Sequence, residues 1–125
     1  MRYCLLVHYE EGSSLGLTEQ DMAPAKAAFA NYADDLSAAG VLIATDVLDV
    51  VAHTTTVTAR SGVPEIRDGP CTETKEKLGG IFVIEVPDLA EAITWAQRNP
   101  ANDWGSIEIR PVATTYAPGR GWHQP

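Results

Sequence analysis

At 125 residues and 45% hydrophobic content, the chain is one domain, long enough to bury a core without disulfides or metals. Its 17 acidic residues against 9 Lys and Arg give a net charge of −8, which repels phosphate backbones and argues against nucleic acid as a partner. The apolar runs are too short for a membrane span, residues 1–9 lack the core of a signal peptide, and the two cysteines, Cys4 and Cys71, have no metal or redox spacing, so a cytoplasmic, reduced setting with no membrane partner is expected.

Residues 2–9, RYCLLVHY, read as a first strand that is apolar on both sides and therefore central. A polar Gly/Ser-rich loop follows. Thr18 is placed as a helix N-cap, with Asp21 as an acidic capping-box partner. The helix runs to about Ala39 and stops at Gly40. Ala25, Ala28, Phe29, Tyr32, Leu36 and Ala39 follow helical spacing and form its inner face. Pro24 fits the helix start or splits off a short first piece.

Residues 41–51 read as a short strand with an irregular continuation. Residues 53–60, rich in Thr and Val, read as a clearer strand, and residues 64–67 return it as a hairpin. A turn at Asp68, Gly69 and Pro70 opens a charged segment that ends in Gly79 and Gly80. Residues 81–86 form the next strand. Asp88 caps a second helix with inner residues Leu89, Ala92, Ile93 and Ala96, and Asn99-Pro100 ends it. Residues 106–112 form the last strand, with Ile107 and Ile109 on one face and Glu108 and Arg110 on the other. Residues 114–125 form a Pro- and Gly-rich tail, expected to be mobile or to lie on a partner.

The order strand, helix, two or more strands, helix, strand is that of a ferredoxin-like α+β sheet with two helices on one face. The other face of such a sheet needs cover. A homodimer supplies it.

The segment DGPCTETKEKLGG at residues 68–80 also carries a resemblance. It closely resembles the DGPF-type proteins of the YCII-related group, whose pattern runs DGPF-x-E-T-K-E-x-L-G-G into a strand. The likeness begins at MRYCLLVHYEE and continues through VPDLAEAITWA and GSIEIRPV. It implies a dimeric α+β barrel over residues 1–113. Cys71 stands where the pattern has Phe. That loses volume, which either enlarges a pocket or leaves a small buried thiol.

Several residues are candidates for chemistry. His8, near the end of a central strand, suits proton transfer near neutral pH, or bonds a backbone carbonyl. Asp68 either caps backbone N–H groups or joins His8 and Glu73 as a catalytic group. Arg110, Glu108, Lys75, Cys71 and Tyr9 are the candidate substrate-binding residues, with a Glu108–Arg110 ion pair as the structural alternative. Thr72 and Thr74 are possible caps of a short helix through Glu76 and Lys77. Trp104 is placed to close a pocket or an interface. No metal is expected, because His8, His53 and His123 lack ligand spacing. No phosphate loop is present, since Gly79 and Gly80 precede a strand.

The leading expectation is an enzyme that needs no cofactor and uses acid–base chemistry on a small molecule, of isomerase, lyase or cyclase type. That extends a fold-level likeness to enzymes of catabolism and secondary metabolism. The alternative is a ligand-binding or regulatory module, which the group's association with sigma-factor genes implies.

Overall fold

The computed structural model describes residues 1–125. The strands and helices, in chain order, are β1 (Arg2–Tyr9), α1 (Glu19–Ala38), β2 (Leu42–Val47), β3 (Thr55–Thr58), β4 (Glu65–Asp68), β5 (Lys77–Glu85), α2 (Leu89–Gln97), β6 (Gly105–Pro111), β7 (Thr115–Ala117) and β8 (Gly121–His123). Four of them build an antiparallel sheet in the order β2-β5-β1-β6, the ferredoxin-like α+β arrangement. β3 with β4, and β7 with β8, form two separate hairpins.

Alternation along β1 sets the two faces of the sheet. Tyr3, Leu5 and Val7 are buried under the helices. They pack with Phe82 and Ile84 of β5, with Tyr32 and Leu36 of α1, and with Ala92, Trp95 and Ala96 of α2. Leu5, Leu36 and Ile84 are fully buried. Each such side chain stabilises the fold by about 1.5–3 kcal/mol through area removed from water. Tyr32 anchors the layer by donating its hydroxyl to the Trp95 carbonyl at 2.8 Å. Burial pushes that phenol up to about 12, although the Asn99 side chain and Arg98 pull the other way.

The helix signals act as expected. Thr18 accepts from the Asp21 N–H at 3.1 Å, and Asp21 accepts from the Thr18 N–H at 2.8 Å. Asp88 accepts from the Glu91 N–H at 3.0 Å. Pro24 lies inside a continuous α1 and starts no separate piece. Having no N–H, it leaves the Gln20 carbonyl without its helical partner.

Some boundaries and faces differ from expectation. His53 belongs to a 3₁₀ turn, Val51–His53, so the strand begins only at Thr55. β5 starts at Lys77, which puts Gly79 and Gly80 inside the strand rather than before it. On α2, Trp95 turns inward while Leu89 and Ile93 remain exposed, because only part of this short helix reaches the sheet. No helix forms at Thr72 to Lys77: Thr74 Oγ1 instead donates to the Glu76 carbonyl at 2.6 Å. The tail has its own order. Arg120 N–H closes a Pro118-Gly119 turn onto the Ala117 carbonyl at 3.0 Å, and Tyr116 pairs with Trp122 across β7 and β8. No helix is long and apolar enough to cross a membrane.

Candidate functional site

The four-stranded sheet carries different chemistry on its two faces. On the face without helices, β1 presents Arg2, Cys4, Leu6 and His8, and β6 presents Glu108 and Arg110. Cys4, Leu6, Ile81 and Val83 form a half-exposed apolar strip across the middle. Arg2 pairs with Glu85 at 3.1 Å at one end of this face. At the other end His8 Nε2 lies 3.2 Å from Glu108 Oε1. His8 therefore bonds a carboxylate rather than a backbone carbonyl. Glu108 pairs with His8 and leaves Arg110 exposed without an ion pair.

The end of the motif pairs with β1, with Leu78 opposite His8, but its turn and exposed charged residues make no contact with the His8–Glu108 pair by hydrogen bond or ion pair. Asp68 ends β4 with its carboxylate accepting no hydrogen bond, so it caps nothing. Glu73 is exposed and lies 3.9 Å from Lys77 Nζ. Lys77 also donates to the Thr74 carbonyl. Lys75 and Cys71 are exposed. Asp68, Glu73 and Lys75 form no hydrogen bond or ion pair with His8, Glu108 or Arg110. No three His, Cys, Asp or Glu side chains converge as metal ligands.

A cavity of 700 Å³ opens on the opposite face, between α1 and the sheet. Val7, Phe29, Phe82 and Trp104 form much of its apolar wall, and Leu15, Leu17 and Met22 stand on the side of the β1–α1 loop. The sequence explains the space. Along α1, Met22, Ala25, Phe29 and Ala33 line the cavity, while Tyr32 and Leu36 are buried in the core. Ala25 and Ala33 cannot reach the sheet where larger side chains would, so space is left beside them, whereas Tyr32 and Leu36 pack.

Tyr9 is the expected site residue that lines this cavity. Its ring lies over β5 because Gly79 has no side chain: a Cβ there would overlap the phenol. The hydroxyl donates to the Gly79 carbonyl at 3.3 Å. Trp104 packs edge-on against Tyr9 with ring centroids 5.2 Å apart, and against Phe29 at 5.9 Å. Trp104 thus closes the pocket, one of the two roles expected for it. Burial, with a further push from the Glu11 carboxylate, raises the Tyr9 phenol above its ordinary value and keeps it a proton-bearing donor at neutral pH. Glu10, Asp21, Lys26 and Asp46 supply the charged lining.

Gly79 therefore makes room for Tyr9, and Gly80 for the close approach of β2, where a Cβ would lie 3.2 Å from the Asp46 carbonyl oxygen. The first strand, the Gly79-Gly80 pair and the loop before β6 meet at one wall of the cavity. The YCII-related domain model matches residues 1–115, which includes all of these elements. An uncharacterized protein of Rhizobium meliloti (strain 1021) is 39% identical over 79 residues, spanning 58% of this chain and 61% of that protein. With the sheet, both helices and the motif inside the matched residues, the chain belongs to the YCII-related family.

Proposed function

We propose that the chain binds a compact, mostly apolar small molecule between α1 and the sheet, with the Tyr9 hydroxyl as a hydrogen-bond donor to it. The observation that carries this reading is the 700 Å³ cavity, walled by Val7, Phe29, Phe82 and Trp104. Small-molecule sites are concave, largely apolar and about 300–1,000 Å³, with a few placed polar groups. A second copy on the open face belongs to the same reading, because it would cover Leu6, Ile81 and Val83. The free thiols of Cys4 and Cys71 are compatible with a reduced, cytoplasmic setting.

One observation favours a second reading, proton transfer without a cofactor. His8 and Glu108 are 3.2 Å apart, a pairing that orients an imidazole for acid–base work. Arg110 on the same face would hold a carboxylate of the substrate. This chemistry needs a covered open face, and so a partner.

The test is calorimetric titration of a panel of aromatic phenols and carboxylates. Ala25→Phe fills the cavity from α1 and is expected to abolish binding, while His8→Ala leaves affinity unchanged. Binding that survives Ala25→Phe but disappears with His8→Ala would move the site to the open face.

A further inference from the structure

The β3–β4 hairpin has its polarity reversed. Its register pairs Thr56 with Arg67 and Thr58 with Glu65 on one face, and Val57 with Ile66 on the other. Val57 and Ile66 are 71% and 77% exposed, whereas Thr56 is 8% exposed. Val57 and Ile66 are turned to solvent, and beside the hairpin opens a cleft of 490 Å³ whose lining is polar apart from Val57 and Cys71.

The motif reaches this cleft through Cys71, just after its turn. Gly69 has φ +96°, which other residues adopt only with strain. Its N–H donates to the Thr54 carbonyl at 2.9 Å and its carbonyl accepts from Thr56 Oγ1 at 2.6 Å. The turn is thereby tied to β3. Arg67 Nη2 reaches the Cys71 carbonyl at 3.4 Å and holds the segment after the turn against β4. Arg60, Ser61, Arg67 and Cys71 all line the cleft.

Neither Arg60 nor Arg67 forms an ion pair, in a chain with 17 acidic residues. A guanidinium presents five N–H donors in a planar fork suited to carboxylate and phosphate, and Arg67 spends one of them on Cys71. Both arginines line one space, together with Thr58 and Ser61.

We propose that this cleft is a second ligand site, which takes the oxyanion group of a small polar molecule on Arg60 and Arg67, with the Thr58 hydroxyl donating to the remaining oxygen. Glu65 lines the same cleft and tempers its attraction for anions. The site is independent of the cavity under α1 and shares no lining residue with it.

Cys71 is the reporter. Its alkylation by iodoacetamide is followed by peptide mass spectrometry, so that Cys4 is read separately. Inorganic phosphate and succinate are titrated at constant ionic strength set with chloride. At least one anion is expected to slow alkylation severalfold, and the tighter of the two identifies the headgroup. Each of Arg60→Gln and Arg67→Gln weakens the apparent affinity about tenfold, the worth of a lost charge-assisted contact. Arg67→Lys, which keeps the charge without the fork, falls between. Protection by neither anion, or protection that persists in the Arg60→Gln/Arg67→Gln double variant, overturns the proposal.

Discussion

The two faces of the sheet are built from alternate residues of the same strands, yet they do different things. Under the helices, Leu5, Val7, Phe82 and Ile84 are buried, and the layer opens into a cavity beside Ala25, Phe29 and Ala33 of α1. On the open face, Leu6, Ile81 and Val83 are half-exposed, and polar pairs flank them at both ends. A one-residue step along β1 moves a side chain from core to surface. The face that holds the His8–Glu108 pair is therefore not the face that holds the cavity.

The largest contrast is in stability. Leu5→Ala should destabilise the fold by about 2–5 kcal/mol, the range for a buried leucine. Leu6→Ala, one residue away, should lose less than about 1 kcal/mol in the isolated chain, since its site already meets water. Urea unfolding at several protein concentrations measures both. A large, concentration-dependent loss at Leu6 would reveal a second copy over the open face.

Next comes the cradle of Tyr9. Gly79→Ala drives a methyl group into the phenol ring and should cost about 1–3 kcal/mol. In the Tyr9→Ala background the same change should cost much less, which a double-mutant cycle reads as coupling. Equal losses in both backgrounds would break the link between the motif glycines and the cavity wall.

Alkali and acid both weaken the helical side of the molecule, through different groups. Tyr9 and Tyr32 have phenols raised by burial above 10.0. Their contribution to stability is complete below that value and is lost as pH rises through the folded values, which for Tyr32 is about 12. Phenolate absorbance should show late steps, one of which Tyr9→Phe removes. The Asp21 carboxylate is held below 3.8 by hydrogen bonds at the Thr18 cap. Its contribution is present above 3.8 and is lost as pH falls through the lower folded value, so acid frays the start of α1. Helical circular dichroism across the acid range follows this, and Asp21→Asn should flatten it.

The smallest effect is expected on the open face. His8 and Glu108 are partly exposed, so a double-mutant cycle with His8→Ala and Glu108→Gln should give coupling of about 0.2–1 kcal/mol. A larger value would mean that something shields the pair from water.

Much of the fold was legible in the sequence because local chemistry dictates it. Thr18 with Asp21, Asp88 with Glu91, and Gly40 mark helix ends through backbone bonding alone. The alternation of Ile107 and Ile109 with Glu108 and Arg110 sets the faces of β6. The site was less legible, because a cavity is defined by what side chains fail to fill. His8, Glu108 and Arg110 share a face as the alternation requires, but Asp68 and Glu73 lie beyond their reach, since β3 and β4 leave the main sheet. Lys26, Thr45 and Met22 were missed as cavity residues. The available signal was the stripe Met22, Ala25, Phe29, Ala33, too small at two of its four positions to fill a core. The tail hairpin was also missed, although Pro118-Gly119 between Tyr116 and Trp122 is a turn signal flanked by strand-forming aromatics.

The most direct measurement is a crystal of the protein soaked with bromobenzene, located by the anomalous signal of bromine. A peak between Tyr9, Phe29, Phe82 and Trp104 is expected, and Ala25→Phe should remove it. A peak on the open face beside Leu6 and Ile81, or none on either face, would contradict a ligand site under α1.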